Sequence, residues 1–374
     1  MKCKINKLSL QTMLAKVQGF TERKSTLPIL SHVLMEANDG YIRIKATDLH
    51  TSIQVKSPCS VEQGGACAIN GKSFYDVIRE LPDDTLTIWI EDNSKAHISV
   101  DKNNIKMNVM DAEEYPMVEF NDIDKGFPMD LSVMKPMIDR TIFSIPSASE
   151  SDTKYTLAGA LLTSGKDDDM GGYIEMVTTD SRRLSVVRFD TDESLDMAGG
   201  IIVPRKGLQE LKRLIESREE DSRILLSDES IFFVSPDTTA TVRLIDGKFP
   251  DYKSVVAIEG YPHYTRIDSQ KLLSVLKVCS AMVSDISNCV RFSFQKDKTI
   301  VYANNPDQGE VETPISSVHI GEEFDINFNP RYFMDCLSYL EGEIEIRLKG
   351  PQGPCMITDY GKTMSKWVIM PMRF

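Results

Sequence analysis

Three stretches of this chain end alike, and no other feature constrains the fold so tightly. DAEEYPMV closes at Val118, DGKFPDYKSV at Val255 and WVIMPMRF at Phe374, each an apolar, strand-like run around a proline: Pro116, Pro250 and Pro371. The middles repeat as well: GYIRIKATDLHTSIQV from Gly40, GYIEMVTTDSRRLSVV from Gly172 and KTIVYANNPDQGEVE from Lys298. After each comes a short strand and a helix opening on a polar turn, as in INGKSFYDVIREL from Ile69, VPRKGLQELKRLIES from Val203 and FNPRYFMDCLSYLEG from Phe328. The prolines lie 134 and 121 residues apart, far beyond a solenoid or propeller unit, so a whole domain is triplicated. Three similar domains in one chain imply a symmetric scaffold and point away from single-site catalysis.

Each third carries the same order of elements. The first helix places Leu10, Leu14 and Val17 on one face; the second, LSVMKPMIDRTIF, has Pro136 in its first turn or at a kink. The third, SQKLLSVLKVCSAMV, reads as capped by Ser269, with Leu272, Leu276 and Cys279 on one stripe. Alternating strands such as PILSHVLMEA precede the second helix, and a meander such as TLTIWIED, AHISVD and IKMNVMD follows it. Antiparallel meanders with fewer helices than strands make an α+β pattern, two helices packed on antiparallel sheets in each domain. Polar, Gly- and Pro-bearing stretches at 121–130 and 257–266 read as linkers, which sets the domains at 1–124, 125–262 and 263–374. The acidic stretch 164–172 reads as a solvated hairpin tip.

The N-terminus lacks the apolar core of a signal peptide, and no apolar run approaches the length of a membrane span. Seven cysteines without a CxxC pair read as reduced thiols of a cytoplasmic protein. The net charge of −13 argues against nucleic acid until its distribution is considered. The helical segments 7–24 and 204–218 each carry +3; with 72–83, 130–145, 268–285 and 329–341 the six total +4, leaving −17 for the rest. Either long basic side chains simply solvate helix surfaces, or a mildly basic helical face meets phosphates.

Chemistry is absent where an enzyme would show it. His32, His50, His97, His263 and His319 are isolated from one another and from cysteines at ligand spacing, and no nucleophile elbow, P-loop or dinucleotide fingerprint occurs. Asp167, Asp168 and Asp169 are adjacent carboxylates on a loop, a poor metal cage. The sequence therefore points to no catalytic residue, no metal and no cofactor, against the alternative of a hydrolase on a repeated scaffold. TTDSRRL and the tail VIMPMRF are of another kind. An apolar terminus must be docked, as a strand in its own core or as the wall of a Met-rich groove, and spacing leaves both readings open.

Taken together, RKSTLPIL at 23–30, TDL at 47–49, TTDSRRL at 178–184, VPRKGL at 203–208, GKFPDY at 247–252, ANNPDQ at 303–308 and the terminal MPMRF closely resemble the bacterial sliding clamps, the beta subunits of DNA polymerase III. The likeness runs from Met1 to Phe374. It implies a processivity factor in which two three-domain chains join head to tail as a closed ring, a homodimer with helices lining the hole. Duplex DNA would thread through without sequence readout, held topologically by a lining only mildly basic. The implied partners are the replicative polymerase alpha subunit, the clamp loader and other clamp-motif peptides, with no membrane. Positions carried over to the peptide groove are Leu157, Thr179, Arg183, Leu184, Pro250, Val255, Tyr332, Val368, Met370, Pro371, Met372 and Arg373. Ser181-Arg182 and Ser254 depart from the pattern at the rim of that groove and bear on partner preference. Lys24, Lys154, Tyr155, Arg205 and Lys206 match positions near DNA, and Ile105 and Met107 are expected to face Met282 and Val283 of a second copy.

Overall fold

The computed structural model describes all residues except 23–25, 92–93, 121–122, 124–125, 148–154, 168–170, 192–196, 198, 218–220, 284–287, 360–364 and 374. Its helices are α1 (Lys7–Val17), α2 (Gly71–Glu80), α3 (Leu131–Asp139), α4 (Arg205–Glu216), α5 (Ser269–Ala281) and α6 (Pro330–Leu337). All six fall where the sequence places them, and each ends earlier than its apolar pattern. Polar side chains fix the starts: Asn6 accepts from the Leu8 N–H at 2.9 Å, Asn70 from Ser73 at 3.0 Å, Asp130 from Ser132 at 2.8 Å and Asn329 from Arg331 at 3.0 Å. The cap of α5 is Asp268, accepting from Lys271 at 2.8 Å, and not Ser269. Ser269 is already helical and buried, its hydroxyl donating to the Leu340 carbonyl at 3.2 Å. Helix α1 gives way to a 3-10 turn at Gln18–Phe20, where the Gln18 amide donates to the carbonyls of Leu14 and Gly71. A Cβ at Gly19 would lie 2.0 Å from the Glu210 carboxylate, so any larger residue there would have to push the end of that side chain aside.

The chain forms two compact units, residues 1–134 with 206–244 and residues 135–205 with 245–374. The first holds a 13-stranded sheet and the second a 12-stranded one, with every strand pair antiparallel. The strand faces alternate as the sequence predicts, and α1 and α2 bury Leu10, Leu14, Phe74 and Ile78 in the first unit. In the second, Phe292 stacks on Phe333 at 4.9 Å and meets Phe328 edge-on at 5.6 Å, with α5 and α6 closing over them.

The repeats do not keep their strands to themselves. In the first unit Thr238–Arg243, from the second repeat, pairs with Thr51–Pro58 of the first, Val242 lying opposite Thr51. In the second unit Ser365–Ile369, the last strand of the third repeat, pairs with Arg183–Thr191 of the second, Ile369 lying opposite Arg183. The same turn leads into both joints. Leu49 and Ser181 hold positive φ (74° and 70°), made tolerable by the side chain two residues earlier accepting their N–H, Thr47 at 3.0 Å and Thr179 at 3.1 Å. Asp48 then accepts from the N–H groups of His50 and Thr51, and Asp180 from those of Arg182 and Arg183.

Two strand edges lack such a joint among the described residues. Asn103–Met110 pairs along one side with Lys95–Val100, but on the other only Val109 and Met110 find a partner strand. Gly309–Ile320 pairs with Lys298–Asn305 along 309–316 and with Tyr264–Ile267 only along 317–320.

The first joint's turn gives a pH test. Burial acts to raise the Asp48 carboxyl, but the Lys206 ammonium and the Thr51 and His50 N–H groups outweigh it and hold the group below its ordinary 3.8. A carboxyl depressed in the folded state stabilises above its unfolded pKa, and that contribution fades as the pH falls through the folded value. Asp48→Asn should cost about 1–2 kcal/mol at pH 7 by urea denaturation, with the difference from the parent shrinking below about pH 4. A pH-independent difference would remove the charge from the account.

Candidate functional site

The second repeat's turn, the loop after Gly247 and the final strand converge on a cleft of about 230 Å³ in the second unit. Its floor is Leu157, Leu184, Phe249, Tyr252 and Val368, all buried; Val255 (38% exposed) and Met370 (42%) stand at the rim. The loop GKFPDYKSV folds this way because Phe249 and Tyr252 turn inward while Asp251 turns out. The Tyr252 hydroxyl donates to Glu175, and burial together with that carboxylate raises the phenol well above its ordinary range. The Tyr261 hydroxyl donates to the Val255 carbonyl at 2.9 Å, and burial pushes its own pKa up to about 12. A larger cavity of about 940 Å³ lies on the other face of the same loop, lined by Lys166, Lys248 and Lys253. Size alone would favour it, but its wall mixes Leu161, Tyr173 and Met197 with three lysines, Thr163 and Ser164, whereas the smaller cleft is predominantly apolar, as an anchoring side chain requires.

Eight of the twelve groove positions read from the sequence line this cleft: Leu157, Thr179, Arg183, Leu184, Pro250, Val255, Val368 and Met370. Tyr332, Pro371, Met372 and Arg373 do not. Tyr332 lies on α6 beneath the Arg183 guanidinium, 4.5 Å from ring centroid to carbon, and the Met372 N–H donates to the Asn327 carbonyl at 2.8 Å. The C-terminal run is a core strand first: Trp367, Val368 and Ile369 are core residues of a paired strand, and past it Met370 alone of the tail's methionines reaches the rim of the cleft. Ser181, read at the groove rim, also lines the cleft, while Arg182 and Ser254 do not; Phe249, Asp251 and Tyr252 line it too and were not singled out, although GKFPDY carries all three.

Arg183 holds the cleft together from below. Its guanidinium donates to Asp180 at 2.9 Å, to Asp335 at 2.5 Å and to the Phe143 carbonyl, and its side chain is 12% exposed. Such a fork is spent on the fold and has little left for a ligand. The Asp180–Arg183 spacing was a signal for the first of these ties; Asp335 and Phe143 lie too far off in sequence to be paired by inspection.

The other predicted positions are dispersed. Lys24 and Lys154 lie outside the described residues, and Tyr155 is exposed. Arg205 donates to the carbonyls of Ile145 and Pro146, and Lys206 to Asp48, so both cations already have protein partners. Ile105 and Met107 are half-buried on the incompletely paired strand Asn103–Met110, and Met282 and Val283 pack beside Val311 at the edge of the second unit's core.

Comparison with known proteins accounts for the whole chain. Residues 1–119, 129–251 and 260–373 match, in turn, the N-terminal, central and C-terminal domains of the DNA polymerase III beta subunit. The chain belongs to the DNA polymerase III beta-subunit family. It is 29% identical to the beta sliding clamp of Chlamydia muridarum over all of this chain and 99% of that protein, and 27% identical to that of Caulobacter vibrioides over the full length of both. Among solved structures, the Caulobacter crescentus beta sliding clamp superposes with a TM-score of 0.91 at 26% identity. A Bartonella birtlesii sliding clamp bound to griselimycin does so with 0.91 at 27%, each over the full length of both chains. Beta clamps are processivity factors without catalysis, in keeping with a sequence that points to no catalytic centre. Three clamp domains of α+β architecture are thereby established, and no helix among the described residues is long and apolar enough to cross a membrane.

For this clamp, Arg183→Met should strand two largely buried carboxylates and lower unfolding stability by about 3 kcal/mol. Arg183→Lys should recover only part, because an ammonium cannot fork between Asp180 and Asp335. Thermal and urea denaturation of both variants would show it; parental stability in Arg183→Met would mean the fork contributes nothing.

Proposed function

We propose that two copies of this chain close head to tail into a ring around duplex DNA and tether replication partners through the cleft at Leu184, Val368 and Met370. The observation that carries the ring is the pair of half-open edges. Within the chain, the last strand of the second repeat joins the first repeat, and the last strand of the third joins the second. By the same rule the last strand of the first repeat, open along 103–108, belongs on the strand of a third repeat open along 309–316. Among the described residues neither of these edges is paired within the chain, so a second copy supplies the partner for each, and two joints of one kind close after two subunits. Lys102 and Lys106 on one edge complement Glu310 and Glu312 on the other, while Ile105 and Met107 meet the apolar edge of Met282, Val283 and Val311.

DNA would be held by enclosure. With Arg205 and Lys206 turned to protein partners, the exposed cations on the described helices are Lys72 and Arg79 on α2, the latter paired with Glu80, Lys271 and Lys277 on α5 and Arg331 on α6. Few phosphate contacts leave a ring free to slide. The cleft accepts an apolar anchor of a short peptide carrying glutamine and leucine or phenylalanine, supplied by the polymerase alpha subunit, the clamp loader or other clamp-motif proteins. The free thiols at all seven cysteines suit the reducing cytoplasm in which bacterial replication takes place.

Two measurements test this reading. Loaded on nicked circular DNA, the protein should stay bound through gel filtration at high salt and be lost once the circle is linearised; equal loss from both forms would argue for ordinary electrostatic binding. Met107→Asp combined with Met282→Asp should bury unpaired charge, cost about 3–5 kcal/mol at each joint and give monomers by sedimentation velocity. Persistence of the dimer at low concentration would place the interface elsewhere.

A further inference from the structure

We propose that the first unit carries a second copy of the cleft's frame, which Ser52, Thr241 and Arg243 close to apolar-anchored peptides. This rests on the peptide-binding reading of the cleft in the second unit and names what makes that cleft selective over its internal double.

The two frames agree bond for bond. Thr47-Asp48-Leu49-His50-Thr51 and Thr179-Asp180-Ser181-Arg182-Arg183 form the same turn, with hydroxyl back-bonds from Thr47 to the Thr51 carbonyl at 3.1 Å and from Thr179 to the Arg183 carbonyl at 2.7 Å. The Arg243 N–H donates to the His50 carbonyl at 2.9 Å, and the Met370 N–H to the Arg182 carbonyl at 2.9 Å. Ser52 faces Thr241 across the first joint as Leu184 faces Val368 across the second. Met117 follows Pro116 as Asp251 follows Pro250, and each lines its own cavity. The cavity in the first unit, of about 580 Å³, thus occupies the place of the cleft in the second.

What differs is the chemistry laid on that frame. Leu184 and Val368, floor of the second unit's cleft, are Ser52 and Thr241 in the first, and Met370 at the rim is Arg243. Ser227 and Ser230 add hydroxyls to the same wall, and Glu119 and Glu229 add carboxylates. An apolar anchor seated there would cover hydroxyls and a guanidinium without replacing their water, which cancels the gain from its own burial. Backbone geometry therefore provides two clefts, and three side chains leave one of them open to peptides.

The test uses the full chain and a labelled synthetic peptide carrying glutamine and a leucine–phenylalanine pair, with stoichiometry read by calorimetry and affinity by fluorescence anisotropy. The parent should bind one peptide per chain. The triple variant Ser52→Leu, Thr241→Val, Arg243→Met should bind two, and adding Met370→Arg to it should leave one. A parent that binds no peptide sinks the peptide-binding reading itself, and this inference with it. A parent that binds one, alongside a folded triple variant that also binds one and loses it with Met370→Arg, overturns the inference alone. Met370→Arg by itself, at an exposed rim that folding tolerates, imports the blocking arginine into the open cleft. It should weaken the peptide by about tenfold or more with an unchanged melting temperature, and undiminished affinity would overturn the role given to Arg243 even if the triple variant fails to fold.

Discussion

Main-chain hydrogen bonding between the last strand of one repeat and the strand after the aspartate turn of the repeat before it is the interaction on which the rest depends. A strand edge is a row of donors and acceptors that must be paired, covered or charged. Here the repeats pair them with one another, at Val242 against Thr51 and at Ile369 against Arg183. The turn before each joint is over-determined by side-chain bonds from threonine and aspartate, which hold a non-glycine residue at positive φ and deliver the receiving strand in a fixed register. Three repeats in one chain have only two such joints to make internally, which is why the edges at 103–108 and 309–316 stand open. The proposed ring is the completion of a rule that the monomer already applies twice.

The same joint builds the cleft. Leu184 and Val368 are cross-strand neighbours at the second joint, and Met370 is the first residue past it, so the floor and rim are set by strand register and not by a loop's preference. Arg183, opposite Ile369, clamps the turn to α6 through Asp335 and to the Phe143 carbonyl. A groove whose walls are fixed before a ligand arrives spends little of the anchor's burial energy on ordering itself.

Much of this was legible in the sequence, for identifiable reasons. The triplication showed because proline cannot be exchanged freely at the end of a strand, and the helices showed because their buried faces recur at helical spacing, as at Leu10, Leu14 and Val17. The family strings carried eight cleft residues to within one cavity. Helix ends were overextended because an apolar stripe continues past the last helical bond wherever the next turn is also buried, as Phe20 is after α1. The strand exchange between repeats left no local trace, since Thr238–Arg243 alternates in the same way whichever neighbour it pairs with. Nor did the fate of the cations: Arg205 and Lys206 read as solvent-facing charge on an amphipathic helix, and only the fold brings the Ile145 carbonyl and Asp48 within their reach.

That fate bears on how such a protein can be acidic overall and still hold DNA. Enclosure removes the need for affinity, and each additional phosphate contact steepens the salt dependence and adds friction along the duplex. Turning Lys206 onto Asp48 uses a cation to secure a joint, and Arg205 and Arg213 likewise donate to backbone carbonyls, of Ile145 for one and of Ala15 and Lys16 for the other. The excess of base on α4 is thus largely consumed in fastening helices to their surroundings. A net charge of −13 and a mildly basic set of helices are then compatible with the proposed ring: its helices would carry enough positive charge to admit a duplex, and the strands and loops the acid that would disfavour DNA on any other surface.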